Sequence, residues 1–130
     1  MVNQHFKLQA TASKSQPTAN VWESLGMDQW LRPQVVKKRK GVEEVMEGAR
    51  KELLDYVDRC EMPMFLIPKL RELEIDGGVI DVKYGGPQFS NLEFGALCFE
   101  IAKVDPSVST FVAVHNSIGM NVVHTLGDEE

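Results

Sequence analysis

Residues Val104 to Glu130 read VDPSVSTFVAVHNSIGMNVVHTLGDEE. Asp105-Pro106 at the front pairs a helix-capping side chain with a proline at the first helical position. Gly127 at the back is a favoured helix terminator. No charged residue lies between Ser107 and Leu126. A helix without charges is enclosed by protein, lipid or ligand. Ser109, Thr110, His115, Asn116, Ser117, Asn121 and His124 are too many polar groups for a membrane span. The expectation is therefore a buried helix that meets something polar along part of its length. Gly119 lies inside it. Glycine is costly in a helix, so a close helix crossing is the favoured reason for it, ahead of a bend that opens a cleft. His115 and His124 are not spaced four apart on one helix face, so they make no metal-ligand pair and read as structural.

The segment just before this one is also poor in charge. Ser90-Asn91-Leu92-Glu93 spells a capping box, in which serine and glutamate each satisfy a free backbone amide of the first turn. The helix behind it runs to about Val104. Only Glu93, Glu100 and Lys103 break its apolar or small surface, so it is expected to be central and nearly enclosed. Two adjacent helices of this kind make the heart of an all-α domain.

Further upstream, from Pro33 to about Arg59, Val35, Val42, Val45, Met46, Ala49, Leu53, Val57 and Cys60 follow three- and four-residue steps, an amphipathic surface helix. Gly41 and Gly48 weaken it and allow one interruption. Glu61-Met62-Pro63 ends it. A shorter helix follows over roughly Phe65 to Glu74, with Leu66, Leu70 and Leu73 inward and Pro68 in its first turn. Gly77-Gly78 stops that helix, and 79–90 is a loop. Trp22 to Leu31 reads as a short turn packed on the body, and Met1 to about Asn20 as a flexible leader. No strand alternation occurs.

With 130 residues, 43% hydrophobic and 25% charged, the chain has the length and composition of one globular domain. A net charge of −5 excludes generic nucleic-acid binding. The basic run Lys37-Lys38-Arg39-Lys40 reads as a solvated helix face. Two distant cysteines, Cys60 and Cys98, form neither a disulfide framework nor a zinc pattern. Phosphate loops, paired metal-binding histidines and nucleophile elbows are absent, so no metal site and no catalytic residue is expected in this chain.

Taken in order, several short pieces resemble the N-terminal helical domain of the acyl-CoA dehydrogenase and acyl-CoA oxidase flavoproteins. They are Glu61-Met62-Pro63, Ile67-Pro68-Lys69-Leu70, Gly77-Gly78, Tyr84-Gly85-Gly86-Pro87, Glu100 to Asp105, Ser109-Thr110-Phe111, Val114-His115, Ser117 to Met120, and Leu126 to Glu130. The glutaryl-CoA dehydrogenase-like branch, with its short-chain peroxisomal oxidases, is the most similar. The resemblance implies a leader and loop over 1–30 and the family's helical domain over 31–130, cut at its C-terminus. The β-barrel and the C-terminal helical bundle would follow elsewhere. They would hold FAD and the glutamate that takes the α-proton while the β-hydride goes to the flavin. This chain would then supply one wall of the acyl pocket, from Ser90, Asn91, Phe94, Gly95 and Cys98 on one helix and Ser109, Thr110 and Ala113 on the next. Phe94 would shorten the acceptable chain if it faces the pocket, and is core otherwise.

In the glutaryl branch an arginine with a serine nearby binds a second carboxylate. The corresponding places fall on Ser109 and Ala113, so the resemblance implies a monocarboxylic, short-chain acyl-CoA. It also implies a homodimer or homotetramer and a mitochondrial or peroxisomal setting. The chain by itself would be inactive. The competing expectation is a non-catalytic helical module that docks a partner through its apolar surface.

Overall fold

The computed structural model describes residues 21–128, so the expected leader lies outside the described residues. Helices account for all the regular structure among them. The first is one turn, α1 (Val21–Ser24), followed by a 3-10 turn at Met27–Trp30. Then come α2 (Pro33–Arg59), α3 (Leu66–Glu72) and, after a loop with a 3-10 turn at Val82–Tyr84, α4 (Asn91–Ala102). The last rod is continuous: α5 (Pro106–Val114), a π-helical stretch His115–Asn121, and α6 (Val122–Leu126).

The bounds follow local chemistry. Pro33 opens α2, and Cys60 closes it in the left-handed conformation. The capping box of α4 forms as expected: the Glu93 amide donates to Ser90 Oγ at 3.3 Å, and the Ser90 amide to Glu93 Oε2 at 2.8 Å. Asp105 caps α5 by accepting from the amides of Ser107 and Val108 at 2.7 and 3.1 Å. α2 runs unbroken through both glycines. A Cβ at Gly41 would sit 3.0 Å from Leu73 Cδ2, so this glycine lets α2 approach the end of α3, whereas Gly48 faces open space. In the 79–90 loop the Gln88 and Phe89 amides donate to the carbonyls of Ile80 and Gly78, folding it on itself. A Cβ at Gly86 would run into the Ile80 carbonyl, so the fold-back requires glycine there.

The inner face of α2, Val35, Val42, Met46, Ala49 and Leu53, packs on Ala96, Leu97 and Ile101 of α4 and on Leu66 and Leu70 of α3. Val108 and Val112 of α5 close the core from the other side.

Three expectations are overturned here. Arg39, inside the basic run, is 1% exposed rather than solvated. Its position four residues after Val35 and three before Val42 sets it on the inward stripe. Its Nη1 donates to Glu100 Oε1 at 2.7 Å, its Nη2 donates to both Asp28 oxygens at 3.2 Å, and its guanidinium lies 5.2 Å from the centre of the Trp22 ring. Nor is α4 enclosed. Two of its charges turn inward beside Ala96, Leu97 and Ile101, and part of its uncharged surface turns out: Glu93 and Glu100 are buried, while Leu92, Gly95 and Phe99 are exposed. Arginines of the α2 segment explain the inversion, because a buried carboxylate persists only when paired. Arg32 Nε lies 2.6 Å from Glu93 Oε1, and Arg39 takes Glu100. Both pairs span 61 residues, and Lys103 with Glu43 adds a third at 2.9 Å. The partners ascend together on the two helices, so α2 and α4 run parallel with a register fixed by these ion pairs.

The uncharged last rod is likewise not buried throughout. Val108, Ser109, Val112 and Asn116 face the core, but Phe111, Val114, Ile118, Val122, Val123 and Leu126 are exposed. No helix of the described residues is long and apolar enough to cross a membrane.

Candidate acyl-facing site

The polar side chains of the last rod serve the rod itself. Thr110 Oγ1 donates to the Pro106 carbonyl at 2.9 Å, Ser117 Oγ to Ala113 at 2.6 Å, and Asn116 Nδ2 to Val112 at 2.8 Å. Each reaches back one turn, a pattern that satisfies a side chain internally and loosens the backbone ladder. The π-helical stretch begins within this set. Asn116 does more: its Oδ1 accepts from the Gly78 amide at 2.8 Å, tying the Gly77-Gly78 turn to the rod. The outward face is therefore apolar, where the charge-free sequence suggested a polar neighbour.

Two clefts flank this face. One, about 600 Å³, is lined by Ser107, Thr110, Phe111, Val114, His115, Ile118 and Gly119. The other, about 680 Å³, lies between the 80–84 loop and the end of the rod, with Ile80, Tyr84, His115, Gly119, Met120, Val123, His124, Gly127 and Asp128 around it. His115 and Gly119 belong to both. The His115 ring lies nearly parallel to Phe111, centres 5.9 Å apart, and His124 meets Tyr84 edge to face at 5.5 Å. Neither cleft is lined by a lysine or arginine. Gly119 makes no close crossing: a Cβ there would meet nothing nearer than the Val114 carbonyl at 3.8 Å. The expected reason for this glycine is overturned, and Gly119 instead lines both clefts.

Of the residues singled out in the sequence, only Thr110 lines either cleft. Ser90 is committed to the cap of α4. Phe94 is half-buried against the Gly77-Gly78 turn, where a Cβ on Gly78 would fall 2.7 Å from its ring, so its bulk serves packing. Asn91 and Gly95 are exposed on the outer side of α4, Gly95 beside open space. Cys98 is half-buried, and burial pushes its thiol up to about 11, which keeps it protonated and unreactive at neutral pH. Ser109 is buried and donates to the Cys98 carbonyl at 2.8 Å, the one hydrogen bond that joins the two groups of residues. Ala113 is half-buried. Phe111, Val114 and Ile118 were passed over as site residues, and His115 and Gly119 were read first as structural. Their signal was the outward stripe 107, 110, 111, 114, 118 of the charge-free run; the π-helical turn that brings His115 and Gly119 to the clefts leaves no comparable pattern.

The two buried carboxylates of α4 are not available as bases. Glu93 is held down at about 2, chiefly by the Arg32 guanidinium and further by the Ser90 and Arg32 amides, and Glu100 is paired with Arg39 and Lys103. No group of three or more His, Cys, Asp or Glu side chains among the described residues is placed to hold a metal. The Thr110–Ile118 cleft is uncharged and largely apolar, while its neighbour adds His124 and Asp128.

The family profile described as acyl-CoA dehydrogenase, N-terminal domain, matches residues 36–130. Comparison with curated proteins gives no match. The profile covers α2 through α6, the helices that carry the core and both clefts. The chain therefore belongs to the acyl-CoA dehydrogenase family, and residues 36–130 are its N-terminal domain.

Proposed function

We propose that this chain supplies the acyl-facing wall of an enzyme that oxidises an acyl-CoA thioester to the trans-2-enoyl-CoA. The observation that carries the proposal is the uncharged outer face of α5 and the π-helical stretch. It is apolar and open, and its own hydroxyls are turned back onto the backbone. Family membership supplies the substrate class. The family is generally FAD-dependent, and FAD is the cofactor we infer for the complete enzyme. A flavin dinucleotide carries a pyrophosphate, and neither cleft offers a cation to meet it. The described residues thus do not fit FAD, and their part is to bind the acyl group and exclude water from it. The β-barrel and helical bundle of the family are the partners inferred for the exposed apolar faces of α4 and α5, in a homodimer or homotetramer.

The substrate is uncharged at its far end. Ser109 and Ala113 provide no cation, and no lysine or arginine lines either cleft, so a second carboxylate would be buried without a partner. A short chain follows only from the resemblance to the short-chain branch, because Phe94 is turned onto Gly78 and sets no limit. A mitochondrial or peroxisomal setting rests on the same resemblance. Titration calorimetry with hexanoyl-CoA and glutaryl-CoA tests the substrate class. Hexanoyl-CoA should bind at least about tenfold more tightly, the order expected when an unpaired carboxylate meets an apolar wall. Equal affinities, or a preference for glutaryl-CoA, would rule out the uncharged substrate.

A further inference from the structure

The two clefts meet at Gly119, and their linings differ. The Thr110–Ile118 cleft is a wall of Phe111, Val114 and Ile118. Its neighbour adds Tyr84, His124 and Asp128 to Ile80, Met120 and Val123. His124 carries a further sign. Its Nδ1 is buried without a hydrogen-bond partner. A ligand in the cleft therefore meets this ring through its other nitrogen, Nε2. Gly119 lines both clefts, and a Cβ there would make only an ordinary contact with the Val114 carbonyl at 3.8 Å, so a larger side chain would extend into the clefts without a clash at its base.

We propose that Gly119 is a specificity-determining residue that lets one thioester ligand lie across the rod. The acyl tail would sit along Phe111, Val114 and Ile118, and the amide-bearing pantetheine arm in the cleft of Tyr84 and His124. This rests on the acyl-CoA reading above. His124 Nε2 meets an amide of the arm, and Gly119 leaves room for the link between the halves. Joining two weakly held halves raises affinity only where the connection can pass, so the side chain at 119 controls the joined ligand more than its parts.

The test uses three probes on the whole chain, with methyl and amide NMR shifts as the readout. The probes are methyl hexanoate, pantetheine and S-hexanoyl-pantetheine. In the natural sequence, methyl hexanoate should shift Val114 and Ile118, pantetheine should shift Val123 and His124, and the joined thioester should shift both sets and bind at least tenfold more tightly than either half. Gly119→Leu should weaken the joined thioester at least tenfold more than it weakens either half, and so remove most of the gain from joining. Gly119→Ala should fall between. Circular dichroism of each variant checks that the helices are kept. Should Gly119→Leu fail that check, Val123→Trp, at a position 71% exposed, should weaken pantetheine and the joined ligand while sparing methyl hexanoate.

A joined ligand no tighter than its halves, or equally tight in Gly119→Leu, would overturn the role of Gly119 while the acyl wall stands on the methyl hexanoate shifts. Absence of those shifts would sink the acyl wall itself, and the crossing with it.

Discussion

Arg39 shows how one side chain can organise this domain. Its guanidinium holds Glu100, Asp28 and the Trp22 ring together, joining α2 to α4 and to the N-terminal turns. Arg39→Met should cost about 3–5 kcal/mol in urea unfolding, because it strands Glu100 in the core with only Lys103 for company. The double change Arg39→Met with Glu100→Leu should be milder than Arg39→Met alone, since replacing a whole buried pair by apolar groups is often close to neutral. Glu93 carries a pH signature. Its folded-state carboxyl lies well below the ordinary value, at about 2. Its contribution is therefore complete above the unfolded range near 4.5 and is lost as the pH falls towards 2. Urea midpoints at pH 7, 4 and 2.5 should show the gap between the natural protein and Glu93→Gln closing over that lower window. A gap independent of pH would contradict the Arg32 pairing.

Among the elements, α2 separates two uses of glycine. Gly48→Ala, in open space, should stabilise the chain by about 0.5–1 kcal/mol. Gly41→Ala should give less or turn destabilising, because Leu73 stands 3.0 Å from the new Cβ. Thermal melts of the two variants decide this. Elements set by periodicity and caps were legible in the sequence: the span of α2, the capping box of α4, the Asp105-Pro106 start of α5. Less legible was which way α4 faces. Three charges on a helix normally mark its wet side, and the pairing of Glu93 and Glu100 with arginines 61 residues away reverses that rule. Nor could local pattern give the π-helical stretch. It accompanies Asn116, whose side chain satisfies the Val112 carbonyl and the distant Gly78 amide together. Of the residues expected on α4 and α5, Thr110 alone lines the two clefts beside this turn.

At the scale of the whole molecule, charge and apolar surface are sorted against the usual expectation. Ion pairs staple the interior between α2 and α4, while Leu92, Phe99, Phe111, Val114, Ile118 and Val123 lie outside. An outward apolar surface of this extent marks a binding face, and family membership points to an acyl chain and to further domains as its occupants. Val114 lines the Thr110–Ile118 cleft and is 45% exposed, so a charge there should spare the core. Calorimetric titration of hexanoyl-CoA into the Val114→Asp variant is the most direct measurement. Binding should weaken at least about tenfold, the scale set by placing a carboxylate against an apolar chain, while the melting temperature stays close to that of the natural protein. Unchanged affinity in a folded Val114→Asp chain would contradict the acyl-facing role of this surface.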